Sequence, residues 1–342
     1  MSTVLHRLKE VASPTIGLGC MNMSHGYGTP VPEPAALRAL DTAFDMGYRH
    51  FDTATLYGAT ANETLVGKAL QGKRDRVLLA SKCGMAIDPQ LGKKVIDGRP
   101  ETLRQQCEAS LERLRTDYLD VYYLHRLDRQ VPIEESVGAL GRLVEEGKIG
   151  GVGLSEVSAT TLRRAAIEYP VAAVQSEYSL WTRNPEIALL EACRETGTVL
   201  VAFSPLGRGF LTGAIKEIAR LEESDMRHNM PRFNAENYSR NWRLLEDFMA
   251  MAGERDMTPG QLALAWLKAQ GDDVIPIPGS RSVDHMRENL VAEHVRLDAD
   301  TLARLNVMMT PDQVWGARYS AAQQADIDTE EFAPTAGSTH TP

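Results

Sequence analysis

Eight short apolar runs alternate with amphipathic stretches along most of this chain, and that alternation limits its possible folds more than any other feature. The runs are TIGLG (15–19), HFDTA (50–54), VLLASKC (77–83), YLDVYYLH (118–125), IGGVGLS (149–155), AAVQSEY (172–178), VLVAFSPL (199–206) and DVIPIPG (273–279). Helical patterns separate them. PEPAALRALDTAFDMG opens on proline and closes on Gly47, and NETLVGKAL, ETLRQQCEASLERL, IEESVGALGRLVEEG, ATTLRRAAIEY, NPEIALLEACRETG and SVDHMRENLVA repeat the theme. Near-continuous apolar strands alternating with helices imply a parallel sheet buried on both faces. Eight such units predict a closed (β/α)8 TIM barrel in one α/β domain over residues 1–320, with two doubly wound domains as the alternative. An extra C-terminal helix (DADTLARLNVMM) precedes a polar tail, 321–342, expected to be disordered at its tip. Residues 207–238 are too long for an ordinary connection and read as a functional loop.

Composition narrows the partners. A net charge of −9 without a Lys/Arg cluster argues against nucleic acid. No apolar run reaches the length of a membrane span, and the N-terminus lacks the apolar core of a signal peptide. Cys20, Cys83, Cys107 and Cys193 are scattered, with no metal-ligand spacing, so free thiols in a cytoplasmic protein and no metal site are expected. A self-sufficient barrel carries no sequence signature of an oligomer.

The stretch FDTATLYG (51–58) places an aspartate and a tyrosine where a strand gives way to a loop. Barrels carry their chemistry at the C-terminal ends of their strands. Asp52 and Tyr57 stand at the end of the second run, Lys82 near the end of the third and His125 at the end of the fourth. Taken singly, Asp52 reads equally as a helix cap, Tyr57 as rim packing, Lys82 as a snorkelling side chain and His125 as a core histidine. Together they permit proton delivery. A lysine ammonium lowers the pKa of a neighbouring phenol, a lysine in an apolar strand needs a counter-ion such as Asp52, and Tyr57 becomes a general acid or base for a carbonyl–alcohol pair. His125 would orient the carbonyl by a hydrogen bond or share in the proton transfer. With no side-chain nucleophile in view, a hydride from a cofactor is the natural reactant at carbon.

No Rossmann fingerprint is present, since GVGLSE (151–156) ends in Glu156, and GLSEV fails as a nucleophile elbow. The loops after the seventh and eighth strands are where barrels bind phosphate. Here they read FSPLGRGFLTG and PIPGSRSVDHMREN, with Ser280 and Arg281 opening a helix. Arg281 is the available cation for a ribose 2′-phosphate, which selects NADP(H) over NAD(H).

Asp52, Tyr57, Lys82 and His125 resemble the catalytic tetrad of the aldo-keto reductase superfamily. FDTATLYG, ASKCG, YYLHRLD, GKIGGVGLSEVS, VQSEYSLWTRNPE, FSPLGRGFLTG and IPGSRSVDHMREN resemble the family in the same order over about residues 12–310. The resemblance implies that Ser155 and Gln175 hold the nicotinamide carboxamide and that Phe203 stacks on its ring. It places Ser204, Leu206, Gly207 and Gly209 along the pyrophosphate, and Ser280, Arg281 and His285 at the 2′-phosphate. Glu288 and Asn289 would hold the adenine, while Gly19, Cys20, Met21 and Asp52 border the cofactor. Four positions depart from the family pattern. Glu156 stands where many relatives have asparagine, Gly279 and His285 where some have lysine and arginine, and Phe203 where tyrosine is common.

The expected activity is reversible NAD(P)H-dependent reduction of aldehydes or ketones to alcohols, of the NADP-dependent alcohol dehydrogenase type. The substrate site is expected around Met21, Met23, Tyr27, Tyr57, His125, Trp181 and the segment near Trp315, and these groups favour an apolar or aromatic carbonyl compound. Two other readings stay open. One is a Schiff-base lyase using Lys82, and the other is a cofactor-binding regulatory protein of the same fold.

Overall fold

The computed structural model describes residues 3–11, 13–88, 90 and 92–333. Eight parallel strands run in chain order around the sheet: β1 Leu18–Gly19, β2 His50–Asp52, β3 Leu78–Cys83, β4 Val121–Leu124, β5 Val152–Ser155, β6 Val171–Glu177, β7 Val199–Phe203 and β8 Val274–Ile277. A parallel bridge from Gly19 to Gly279 closes β8 onto β1. Gly17 and Gly19 donate their amides to Pro276 and Pro278, at 3.0 and 3.3 Å. The (β/α)8 expectation therefore holds. Several strands are shorter than their apolar runs, because burial continues past the last ladder bond into the loops.

The period of two divides the side chains between two cores. Leu78, Ala80, Val121, Tyr123, Val199, Val201, Ile275 and Ile277 point into the barrel, while Leu79, Tyr122, Leu124, Leu154, Leu200 and Ala202 face the surrounding helices. Helix Thr3–Glu10 inserts Val4 and Leu8 into the inner cluster. Its Arg7 joins Arg74 in ion pairs with the buried Asp120, each at 2.8 Å. Sequence reading assigned that segment no structure.

Three other features depart from expectation. The loop after β3 carries an antiparallel hairpin, Met85–Ile87 with Lys94–Ile96. The expected functional loop after β7 is a series of short 3-10 turns, and it leads into helices Ala235–Gly253 and Pro259–Lys268 that the strand–helix alternation did not flag. The tail is docked where it is described. Tyr319 and Ile327 are buried, and helix Ala321–Gln324 lies between them. The expected disordered tip, 334–342, lies outside the described residues. No helix among the described residues is long and apolar enough to cross a membrane.

Inside the barrel Gly153 makes room for Tyr123: a Cβ at Gly153 would stand 2.3 Å from the Tyr123 ring. Overpacking a filled interior costs about 1–3 kcal/mol, so Gly153→Ala should lower the urea unfolding midpoint by a corresponding amount. An unchanged midpoint would show that the ring moves freely.

Candidate active site

At the C-terminal ends of the strands a cleft of about 900 Å³ opens, at the upper end of the range for small-molecule sites. Asp52, Tyr57 and His125 line it. Lys82 lies beneath them, fully buried. The ladder sets this convergence: β2 pairs Asp52 with Ala80, and β3 pairs Lys82 with Tyr123, so consecutive strand ends meet at one rim.

The Lys82 ammonium donates to Asp52 Oδ1 at 2.5 Å and to the Thr53 carbonyl at 2.8 Å. Gln175 donates to the other carboxylate oxygen at 2.8 Å. Burial works against the Lys82 charge, but Asp52 and then Tyr57 outweigh it, and the pKa rises above its ordinary 10.5. The same ammonium lies 5.0 Å from the centre of the Tyr57 ring. Here the structure corrects a sequence expectation. Burial raises the Tyr57 pKa more than the Lys82 charge lowers it, so the net direction is upward and the phenol holds its proton. His125 meets Tyr57 edge-on with ring centres 5.8 Å apart. Burial, followed by the charges of Arg126 and Lys82, pushes the His125 pKa well below 6.5 and leaves a neutral imidazole. Its Nδ1 is buried without a hydrogen-bond partner among the described residues.

The remaining expected residues divide. Gly19, Met21, Ser155, Gln175, Phe203, Ser204, Leu206, Gly209, Ser280, Arg281, His285, Glu288 and Asn289 line the cleft, as does Tyr27 on the substrate side. Cys20 does not. Its thiol is fully buried against the Leu18 carbonyl, and only its backbone amide reaches the site, donating to the Asp52 carbonyl at 2.8 Å. Met23 is a core residue, because the 3-10 turn Met21–Met23 rotates successive side chains by a third of a turn, which leaves Met21 and Asn22 on the cleft and Met23 in the core. Gly207 turns the chain at φ +55°, with Trp181 packed where its Cβ would be. Trp181 itself stacks on Phe210, ring centres 4.0 Å apart, and lies outside the lining. Trp315 is partly exposed under the Arg240 guanidinium and is likewise outside it.

Glu156 faces away from the cleft. Fully buried at φ +54°, it accepts from Ser176 and the Glu177 amide through one oxygen and from Arg318 through the other. Glu177 in turn pairs with Arg208 at 2.8 Å. It is buried, yet the charges of Arg208 and Arg318 hold its pKa down at about 2. Arg208 and Tyr319 complete this network and line the cleft.

Sequence reasoning also missed Asn22, His25, Lys94, Arg126, Gln323 and Asp326, all in the lining. Apart from Arg126, which lies within the stretch YYLHRLD, none belongs to a motif singled out in the sequence. Arg126 and His25 were nonetheless findable as neighbours of residues already singled out.

Several features of the cleft suit a dinucleotide. Asn22 Oδ1 is buried and unpartnered among the described residues, beside Gly279, whose missing Cβ keeps the wall open there. Ser204, Arg208 and Gly209 all have positive φ, which bends the loop after β7 around the cleft. Arg281 donates to the Thr29 carbonyl at 3.1 Å, and Thr29 donates twice to Glu222. The Met226 amide reaches the Gly26 carbonyl at 2.9 Å. The loops after β1 and β7 thus meet over the cleft, and the lining residues fit an elongated anionic ligand.

Comparison with known proteins agrees with this geometry. The model of the Aldo/keto reductase family matches residues 15–308. Aldo-keto reductase yakc [NADP(+)] of Schizosaccharomyces pombe is 41% identical over 96% of this chain and 98% of its own length. Probable aldo-keto reductase 1 of Glycine max is 44% identical over 89% of this chain and 88% of its own. Among solved structures, the glycerol dehydrogenase AKR11B4 of Gluconobacter oxydans superposes with a TM-score of 0.79 at 28% identity, covering 86% of this chain and 90% of that one. An aldo/keto reductase of Klebsiella pneumoniae, solved with NADP and acetate, gives 0.68 at 30% identity over 90% and 95%. On the family match, the two relatives and the barrel, this chain belongs to the aldo/keto reductase family.

Proposed function

We propose that this protein is an NADP(H)-dependent reductase that interconverts small aldehydes or ketones and their alcohols, with Tyr57 as the general acid and base. The observation that carries the reading is the buried Asp52–Lys82 pair beneath a protonated Tyr57, with neutral His125 alongside, at the floor of a long cleft. The relative named for NADP(+) and the Klebsiella pneumoniae structures with NADP and NADPH support the choice of cofactor.

The lining residues that would hold the dinucleotide are Ser155 and Gln175 at the nicotinamide, Phe203 against its ring, Ser204, Leu206 and Gly209 along the pyrophosphate, and Ser280, Arg281, His285, Glu288 and Asn289 at the adenosine end. When bound, the cofactor supplies a hydride to the carbonyl carbon from C4 of its nicotinamide. Lys82 stays protonated through its pair with Asp52 and steadies the negative charge that Tyr57 acquires on giving up its proton. Neutral His125 can donate one hydrogen bond to the carbonyl oxygen without competing as an acid. In the oxidative direction Tyr57 takes the alcohol proton back. The same ion pair argues against a Schiff-base lyase, which needs a deprotonated, unpaired lysine.

Tyr57→Phe should reduce kcat by about a hundredfold or more, the scale of a lost general acid, while the Kd for NADPH measured by fluorescence quenching stays within a few-fold. Full retained activity would remove Tyr57 from the chemistry. Tight NADPH binding without turnover of any aldehyde by the native protein would favour a regulatory role. Arg281→Ala should raise the KM for NADPH by about tenfold or more, the scale of a lost charge-assisted bond, with little change for NADH; equal effects would take Arg281 off the 2′-phosphate.

Two buried histidines set an acid limit on stability. Burial lowers the His50 pKa to about 4 and the His125 pKa well below 6.5. As pH falls below 6.5 the unfolded chain gains protons that the folded chain refuses, so stability drops by about 1.4 kcal/mol per pH unit for each histidine. Urea midpoints measured between pH 7 and pH 5 should fall accordingly, and the slope should be shallower in His125→Gln. An identical slope would mean that His125 is protonated in the folded protein.

A further inference from the structure

Six cationic side chains line the cleft: Lys94, Arg126, Arg208, Arg220, Arg227 and Arg281. Four are neutralised within the protein. Lys94 pairs with Asp326, Arg208 with Glu177, Arg220 with Glu217 and Arg227 with Asp225. Arg126 and Arg281 have no carboxylate in ion-pair contact among the described residues. Arg281 stands beside Ser280 and His285, where the proposed cofactor presents its 2′-phosphate. Arg126 stands at the other end, directly after His125. Its Nη1 is tethered to the His125 carbonyl at 2.7 Å and to Ser155 Oγ at 3.3 Å. Its Nε and Nη2 donate to nothing among the described residues. It is close enough to Tyr57 and His125 for its charge to bear on both.

We propose that Arg126 is a carboxylate-binding residue and that the preferred substrates are carbonyl compounds bearing a carboxylate, such as oxo acids and semialdehydes. This deepens the reductase reading and rests on it. A guanidinium anchored through one nitrogen presents its remaining donors in a fixed fork, which suits a carboxylate better than a neutral group. Polar groups share the lining with it, Tyr319, Gln323, Lys94 and Asp326 among them, beside the apolar Leu56 and Met85. Of the large apolar groups that sequence reading placed there, Met23 and Trp181 are turned into the core, while Met21 and Tyr27 remain in the lining. An apolar carbonyl compound would bury the Arg126 charge without pairing it, which is costly.

The test uses the full chain with NADPH and matched substrate pairs: glyoxylate against propanal, succinic semialdehyde against butanal, and 4-carboxybenzaldehyde against benzaldehyde. The native protein should prefer the carboxylated member in the pair whose spacing suits the site. Arg126→Met should lower that preference, as a ratio of kcat/KM values, by about tenfold or more, and Arg126→Lys should restore part of it. Taking a ratio removes any general effect of the charge on Tyr57 and His125. A second arm is independent of turnover. Benzoate should bind the NADPH complex more tightly than benzamide in the native protein, and Arg126→Met should abolish the difference. Ratios unchanged in every pair, or benzoate and benzamide binding alike, would overturn the proposal. So would an equal loss on both members of each pair with weakened NADPH binding, which would assign Arg126 to the cofactor. If the native protein reduces no aldehyde but still prefers benzoate through Arg126, the reductase reading fails and the carboxylate site stands.

Discussion

The buried ion pair between Asp52 and Lys82 is the constraint on which the rest of the site depends. A lysine in the sixfold-buried strand LLASKC can stay charged only if its ammonium is fully satisfied. Asp52 and the Thr53 carbonyl supply acceptors, and Gln175 on the opposite wall satisfies the second oxygen of Asp52. Three strands must therefore keep one register, since a one-residue slip of β3 would turn Lys82 toward the helices. With the pair in place, a permanent positive charge lies under the Tyr57 ring at the one point where the apolar barrel filling ends and the cleft begins. The electrostatics of Tyr57 and His125 both follow from it.

Those electrostatics show how burial and charge compete. In isolation the ammonium would make Tyr57 a stronger acid. In the cleft, desolvation of the phenolate is the larger effect and the proton stays on oxygen. The same desolvation acts on His125 in the opposite sense and strips its proton. One low-dielectric environment thus keeps a phenol protonated and an imidazole neutral, so that the two present different hydrogen-bonding faces to the same small volume.

What was legible in the sequence was whatever has a local signature. The strand–helix alternation sufficed for the barrel, and strand-end positions sufficed to bring Asp52, Tyr57, Lys82 and His125 to one rim. The misreadings concern side-chain direction and distant pairing. Met21 and Met23 look equivalent in sequence, and only the 3-10 turn separates the one facing the cleft from the one in the core. Trp181 follows a strand end like the tetrad residues do, but Phe210 and Arg232 sandwich it away from the opening. Helix Ala235–Gly253 buries Tyr238, Asn241, Leu245, Phe248 and Met251 at helical spacing. Its many polar residues hid that stripe, and a long connection after β7 was expected to be a loop. The capping box of Thr258 and Gln261 was a readable start signal for the next helix and was passed over.

The C-terminal segment is the part least accessible to sequence reading, because the contacts that dock it on the barrel join residues more than a hundred positions apart. Arg318 reaches Glu156, Tyr319 reaches Arg208, and the Asp328 amide donates to the Glu156 carbonyl at 2.9 Å. Asp328 also accepts from the hydroxyls of Ser158 and Thr161, and Glu330 accepts from the Ala159 amide, so two carboxylates sit at the N-terminus of helix Ala159–Glu168. Negative charge is stabilising there, since the first turn of a helix carries unpaired amides and the positive end of its dipole. This gives Glu156 a physical role that differs from a cofactor contact. At an αL position directly after Ser155, its carboxylate links the β6 end to Arg318. A shorter amide at that position would leave the Arg318 guanidinium buried with, among the described residues, only the Glu177 carboxylate in ion-pair contact, at 3.6 Å. Glu156, one of the residues that depart from the family pattern, is thus the residue that ties Arg318 and Asp328 to the barrel.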